Sequence, residues 1–231
     1  MSEETTGKEV VNIEAHLKQQ LQGLKDRVGA PPSNTIKTKG KKFTLPSGES
    51  NTKLSAIILD WRYALSHYPG VYNPNQPQDP DCFAIGTQKP ESGSLVPHDS
   101  IEKPQAKDCG SCPKNQWGSD ANGRGKACKN QIRLLLVGAN PEEDTTPLTL
   151  YVSPSALKNW FAYLTELANV HGLDIMQVVT DVTFDPNETY SKLQFAMAEK
   201  HPHIQQVFSL KNQHQAVVDR PIEFKNKKAA G

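Results

Sequence analysis

Four cysteines, Cys82, Cys109, Cys112 and Cys128, fall in a stretch with too few apolar residues to order itself. From Tyr68 to Lys107 the chain is rich in Pro, Gly and Asp, apart from a short apolar piece at Cys82–Ile85. A loop of that length needs something besides a core to hold it. Cys109-Gly-Ser-Cys112 is a knuckle whose tight turn, relaxed by Gly110, can bring two thiolates to one ion. Cys128 follows after Gly- and Lys-rich sequence. Tetrahedral sulfur coordination selects Zn²⁺, and a structural site needs no further ligand. Lys107, Lys114, Lys126 and Lys129 would offset thiolate charge, and the ion would pin the loop. Two alternatives stay open: His98 replacing Cys82 as fourth ligand, and an iron–sulfur cluster on the same four sulfurs. A redox pair is disfavoured, because the knuckle does not open a helix within a βαβ unit.

The start, MSEETTGKEV, has neither the basic residues nor the apolar run of a signal peptide. An intracellular chain is therefore expected, where disulfide frameworks are rare. No stretch approaches the roughly 20 apolar residues of a membrane span. Only 36% of the 231 residues are hydrophobic, with 17 Pro and 15 Gly, so a modest core with long, decorated loops is expected. The net charge of +1 hides segregation. Residues 31–69 carry six Lys or Arg against two acids, and 103–133 seven against two; 140–199 carry two against nine. One face should be basic and suited to a polyanion, unless the lysines are simply the solvated side of strands.

Val10, Ile13, Leu17, Leu21, Leu24 and Val28 keep to one face of a helix over 8–28, ended by Gly29 and Pro31-Pro32. Thr35–Leu45 alternates as a strand with lysines outward, and Leu54–Ala64 is a second strand with a buried centre at Ala56–Leu59. Ile132–Gly138 and Leu148–Val152 follow as strands around an acidic loop. Ser153 and Pro154 then open a helix whose Leu157, Phe161, Leu164 and Ala168 share a face, and Gly172 stops it. Ile175–Phe184 and Tyr190–Ala198 read as further strands, and His203–Val218 as a last helix. The expected organisation is an N-terminal helix at 1–30, a main domain at 31–200 with a metal-binding insertion at 66–130, and a C-terminal helix with a disordered tail at 201–231. The fold class is mainly β with helices, α+β. Five strands with a helix between the third and fourth fit an OB-like five-stranded barrel; a generic α+β sandwich has the same order.

Aromatic residues lie among the positive charges. Phe43 closes the strand carrying Lys37, Lys39, Lys41 and Lys42. Trp61, Arg62, Tyr68 and Tyr72 lie on or after the second strand, and Trp117 sits in the metal loop near Lys114, Arg124, Lys126 and Lys129. Single-stranded nucleic acid is bound by this mixture, with cations along the phosphates and rings stacked on bases. Alternation puts Trp61 and Tyr63 on one face and Arg62 on the other. Phosphate-binding glycine loops, zinc-protease helices and nucleophile elbows are missing from the sequence, so no enzyme is expected.

Five stretches together resemble a group of bacteriophage proteins related to single-stranded DNA-binding proteins: FTLPSGE (43–49), AIILDW (56–61), DPDCFAIG (79–86), DCGSCPKNQWGS (108–119) and GRGKACKNQIRLLL (123–136). The resemblance implies a replication or recombination accessory that coats single strands with little sequence preference in the cytoplasm of a bacterial host. It also implies Cys82, Cys109, Cys112 and Cys128 as metal ligands. The basic end PIEFKNKKAAG departs from the acidic, partner-recruiting tail usual in such proteins. Two other functions stay open: a module docking on a host or viral polymerase, and a nuclease or recombinase subunit with an iron–sulfur site.

Overall fold

Thr35–Leu45 departs from the single strand that its alternation predicts. In the computed structural model, which describes residues 34–70 and 78–222, this stretch is a tight hairpin. Strands β1 (Lys37–Lys39) and β2 (Lys42–Thr44) pair antiparallel across Gly40-Lys41. Both turn residues have positive φ, 58° and 55°, as a two-residue hairpin loop requires to match the twist of its strands. Glycine adopts that conformation freely, whereas Lys41 does so at a cost of about 1–2 kcal/mol. A period-two pattern reads the same through a hairpin as through one strand. Strand β3 (Ser50–Asn51) completes this small sheet.

The main sheet is built around β4 (Leu54–His67), with β5 (Cys82–Gly86), β6 (Lys129–Gly138), β7 (Leu148–Val152), β8 (Val178–Phe184) and β9 (Leu193–Lys200). All its ladders are antiparallel. One edge of β4 pairs with β6 from Ala56 to Ser66. The other is shared: β8 takes Leu54–Ala56 and β5 takes Tyr63–His67. The order across the sheet is β7-β6-β4-β8-β9.

A bulge between Ile58 and Asp60 switches the parity of β4, since one extra residue moves every later side chain to the other face. Before it, Ala56 and Ile58 face one core while Ile57 and Leu59 face another. After it, Trp61, Tyr63 and Leu65 join Ala56 and Ile58. Each core has its own helix. Helix α1 (Leu157–Glu166) enters through a 3₁₀ turn at Pro154–Ala156 and sets Trp160 and Tyr163 on the first core. A π-helical turn over Leu167–His171 continues it and stops at Gly172, whose φ of 62° is left-handed. Helix α2 (Ile204–Val218) lays Val207, Leu210 and Val218 on the second core. Asp174 caps a 3₁₀ turn at Ile175–Gln177, so β8 begins three residues later than the predicted Ile175.

The fold is mixed strand and helix with an antiparallel sheet. Among the described residues the sheet stays open, with β7 and β9 as its edges. The free edge of β7 is taken by the N-terminal segment: Ile36 N donates to Thr149 O and Thr149 N to Asn34 O, both at 2.8 Å. That segment then reaches the β8–β9 turn. Lys41 N donates to Ser191 Oγ at 3.1 Å, and Phe43 stacks on Phe184 at 4.3 Å. Among the described residues no helix is long and apolar enough to cross a membrane. The helix predicted over 8–28, Tyr72 and the tail beyond residue 222 lie outside the described residues.

Candidate metal centre and ligand groove

The long connection from β4 to β6 brings all four cysteines to one place. Cys82 starts β5, where it pairs with His67 across the strands. Cys109 is positioned by its amide, which donates to Leu95 O, and Cys128 by its amide, which donates to Lys114 O, both at 2.8 Å. The buried Asn115 donates from Nδ2 to Cys109 O at 2.7 Å and accepts at Oδ1 from Asn130 Nδ2 at 2.8 Å. It thereby ties the knuckle to the start of β6. Gly110 has a different role from the turn relaxation read in the sequence. A Cβ there would stand 3.1 Å from Gly93 N and 3.2 Å from Pro90 O, so glycine lets the knuckle abut the 90–93 turn.

The four sulfur-bearing side chains line one cavity of about 20 Å³, room for one water-sized or ion-sized guest. Burial, then the proximity of Cys82 and Cys112, pushes the Cys109 thiol up to about 12. Burial, then Cys109, Cys112 and Cys82, does the same to Cys128. Each raised thiol is one whose charge would be felt by its neighbours, which places the four within electrostatic reach. All are free thiols, and among the described residues no three His, Cys, Asp or Glu already stand in ligating geometry. Four sulfur donors around one small cavity are the donor type that a soft cation takes.

His98 is engaged elsewhere: its ring stacks on Phe83 at 4.9 Å and its Nδ1 meets Ser100 Oγ at 2.9 Å. His67 lines the thiol cavity instead, its Nδ1 held 2.7 Å from Asp81 Oδ1, with Gln105 Nε2 donating to the other carboxylate oxygen. Nothing in the linear spacing flags His67; only the β4–β5 register brings it opposite Cys82.

A groove of about 640 Å³ opens beside the cysteine loop. Tyr63, Trp117 and Phe161 supply its rings, and Lys89, Lys126 and Lys129 its cations. Cys128 belongs to the walls of both cavity and groove. Trp117 is 79% exposed, on a loop closed by Gly118 N donating to Gly125 O at 2.8 Å. Phe161, at 36% exposure, sits at the lip rather than in the helical core expected of it.

The predicted binding residues divide. Trp117, Lys126 and Lys129 meet at the groove, and Lys114 and Arg124 are exposed elsewhere on the same loop. Lys129 also places Nζ 5.1 Å from the centre of the Tyr68 ring. Lys37, Lys39 and Lys42 are exposed on the N-terminal hairpin, while Lys41 turns Nζ to Pro186 O at 3.3 Å. Phe43 is fully buried and unavailable for stacking on a base. Trp61 packs among Tyr63, Trp160 and Phe161 at ring distances of 5.3–6.2 Å. Arg62 is buried on the α2 side, paired with Asp60 and Asp219: alternation keeps it opposite Trp61 and Tyr63, and the bulge turns its face toward α2. Phe161 and Lys89 carry no binding signal in the sequence, whereas Tyr63 is read there among the second-strand aromatics; the three belong to separate parts of the chain that only the fold brings together.

No protein-family model matches the chain, nor does any characterised protein or solved structure.

Proposed function

We propose that this chain binds single-stranded DNA with little sequence preference, on an OB-like scaffold stabilised by zinc at Cys82, Cys109, Cys112 and Cys128. The observation that carries the reading is the groove, where an exposed Trp117 stands with Tyr63, Phe161 and three lysines. Rings that stack on any base and cations that follow the phosphates make a sequence-tolerant single-strand site. Strand order gives further support. Strands β4, β6 and β7 are consecutive along one side, and β8 returns beside β4, which is the 4-1-2-3 arrangement of a Greek key. An OB-fold is a partly open Greek-key barrel that uses its second and third strands and the loop between its first and second. By that correspondence the cysteine loop is the first connecting loop, and the start of β6 forms part of the groove.

Zinc would supply no chemistry beyond cross-linking: it would hold the loop that carries Trp117, Lys126 and Lys129 in one arrangement. The resemblance to phage single-stranded DNA-binding proteins points the same way and suggests a replication or recombination accessory. Titration of fluorescent oligonucleotides at two salt concentrations tests the proposal. Tight, salt-dependent binding of single strands with weak binding of the matching duplex is expected. Equal affinity for both, or none for either, would overturn it.

A further inference from the structure

The groove proposed for a polyanion contains a carboxylate. Glu91 lies on a short 3₁₀ turn, Pro90–Ser92, and its Oε1 stands 3.5 Å from Lys126 Nζ. The lysine side chain is 18% exposed and the glutamate 70%. The turn is held in place, because the Cys109–Cys112 knuckle packs against the backbone of Pro90 and Gly93 at the one residue, Gly110, that has no Cβ to keep it away. Glu91 also acts on the opposite wall, where burial and then its charge raise the Tyr63 phenol. The cysteine loop holds the backbone of this turn, and so roots the exposed Glu91 side chain on the groove wall beside Lys126.

We infer that Glu91 is a specificity-determining residue of the groove, a carboxylate rooted beside Lys126 that competes with ligand phosphates for it and makes ring stacking a condition of binding. The inference rests on the single-strand reading above. A phosphate reaching Lys126 must displace Glu91 and accept a like charge nearby. Duplex DNA, with its bases paired, and heparin, which has none, bring nothing to offset that loss. A single strand stacks bases on Trp117 and Phe161 and offsets it. Glu91 thus rejects polyanions that lack free bases.

The test compares wild type and Glu91→Gln for a fluorescent oligothymidylate, the corresponding duplex and heparin, with a melting temperature for each protein. We expect the variant to bind duplex and heparin about tenfold tighter and the single strand no more than about threefold tighter. Its single-strand salt slope should stay as in wild type, where that phosphate contact is already made, while the duplex slope should steepen by about 0.9, one extra phosphate contact. Equal gains on all three ligands, or no gain on any while wild type still binds the single strand, overturn the role of Glu91 alone. A lowered melting temperature with unchanged affinities overturns it as well, leaving Glu91 as a tie for the loop. Wild type that binds no single strand removes the underlying reading.

Discussion

Arg62 Nε lies 2.6 Å from Asp219 Oδ1, joining the middle of β4 to the residue that follows α2. The same guanidinium donates from Nη1 to Trp61 O at 2.8 Å and pairs with Asp60 Oδ1 at 3.0 Å. Its side chain is 9% exposed, whereas that of Asp219 is 47%. Removing one partner of a buried pair costs about 3–5 kcal/mol, and a half-exposed partner reduces that. Arg62→Ala is therefore expected to cost about 2–3 kcal/mol in urea unfolding and to leave oligonucleotide affinity unchanged. Lost affinity in a protein of wild-type stability would return Arg62 to the binding face.

The thiol cavity makes a separate claim. We expect about one zinc per chain in protein purified without added metal, by elemental analysis. Cys112→Ser should lose the metal and expose 82–128 to protease. Absorbance near ~400 nm with iron in place of zinc would identify a cluster instead. Metal-free protein with a fully protected loop would show that the hydrogen bonds of Asn115 suffice.

Asp181 gives a pH dependence of known sign. Burial alone would raise its pKa, but Lys53 Nζ at 2.7 Å and Ser55 Oγ at 2.6 Å outweigh this and hold the carboxyl below 3.8. A lowered folded value means the stabilisation is present above 3.8 and is lost as pH falls through that folded value. Asp181→Asn should cost under about 1 kcal/mol at neutral pH, as exposed pairs do, and nothing in strong acid. Melting curves across that range decide it; a constant difference would assign the effect to packing.

Local signals reached the elements and stopped at their assembly. Leu148–Val152 matches β7, and the helix placed at His203–Val218 matches α2 to within one residue, because apolar spacing and Gly or Pro punctuation are encoded nearby. The bulge at Ile58–Asp60 is not encoded that way. An unbroken apolar run hides the parity change that puts Trp61 and Tyr63, rather than Asp60 and Arg62, on the face of Ala56 and Ile58. The cysteines were legible because their chemistry stands out in a loop, although His67 was not, since its place beside them depends on pairing across β4 and β5. Phe161 carries a helix-core signature and still lies at the groove, because the cysteine loop, distant in sequence, builds the facing wall.

The N-terminal hairpin tests how far the ligand extends. Lys39 and Lys42 are cross-strand partners and exposed, whereas Lys41 is turned toward Pro186. Reversing Lys39 and Lys42 to Glu should weaken single-strand binding and make the salt slope shallower by about 0.7 for each lost phosphate contact. Unchanged affinity and slope would confine the ligand to the groove and leave the hairpin as a solvated edge.

Trp117 separates a stacking site from a merely basic surface. A large ring on an irregular loop either covers that loop or waits for a ligand. At 79% exposure it covers little, so its removal should hardly change the area buried on folding. Trp117→Ala is therefore expected to melt with wild type while losing about 1–3 kcal/mol of single-strand affinity, the worth of one stacked base. The salt slope should stay as it is, because no phosphate contact is removed. Indole fluorescence gives an independent check: the emission should be quenched by single strands and barely moved by duplex. A variant that binds as tightly as wild type would take Trp117 out of the site. One that loses affinity only in proportion to a lower melting temperature would make the ring structural.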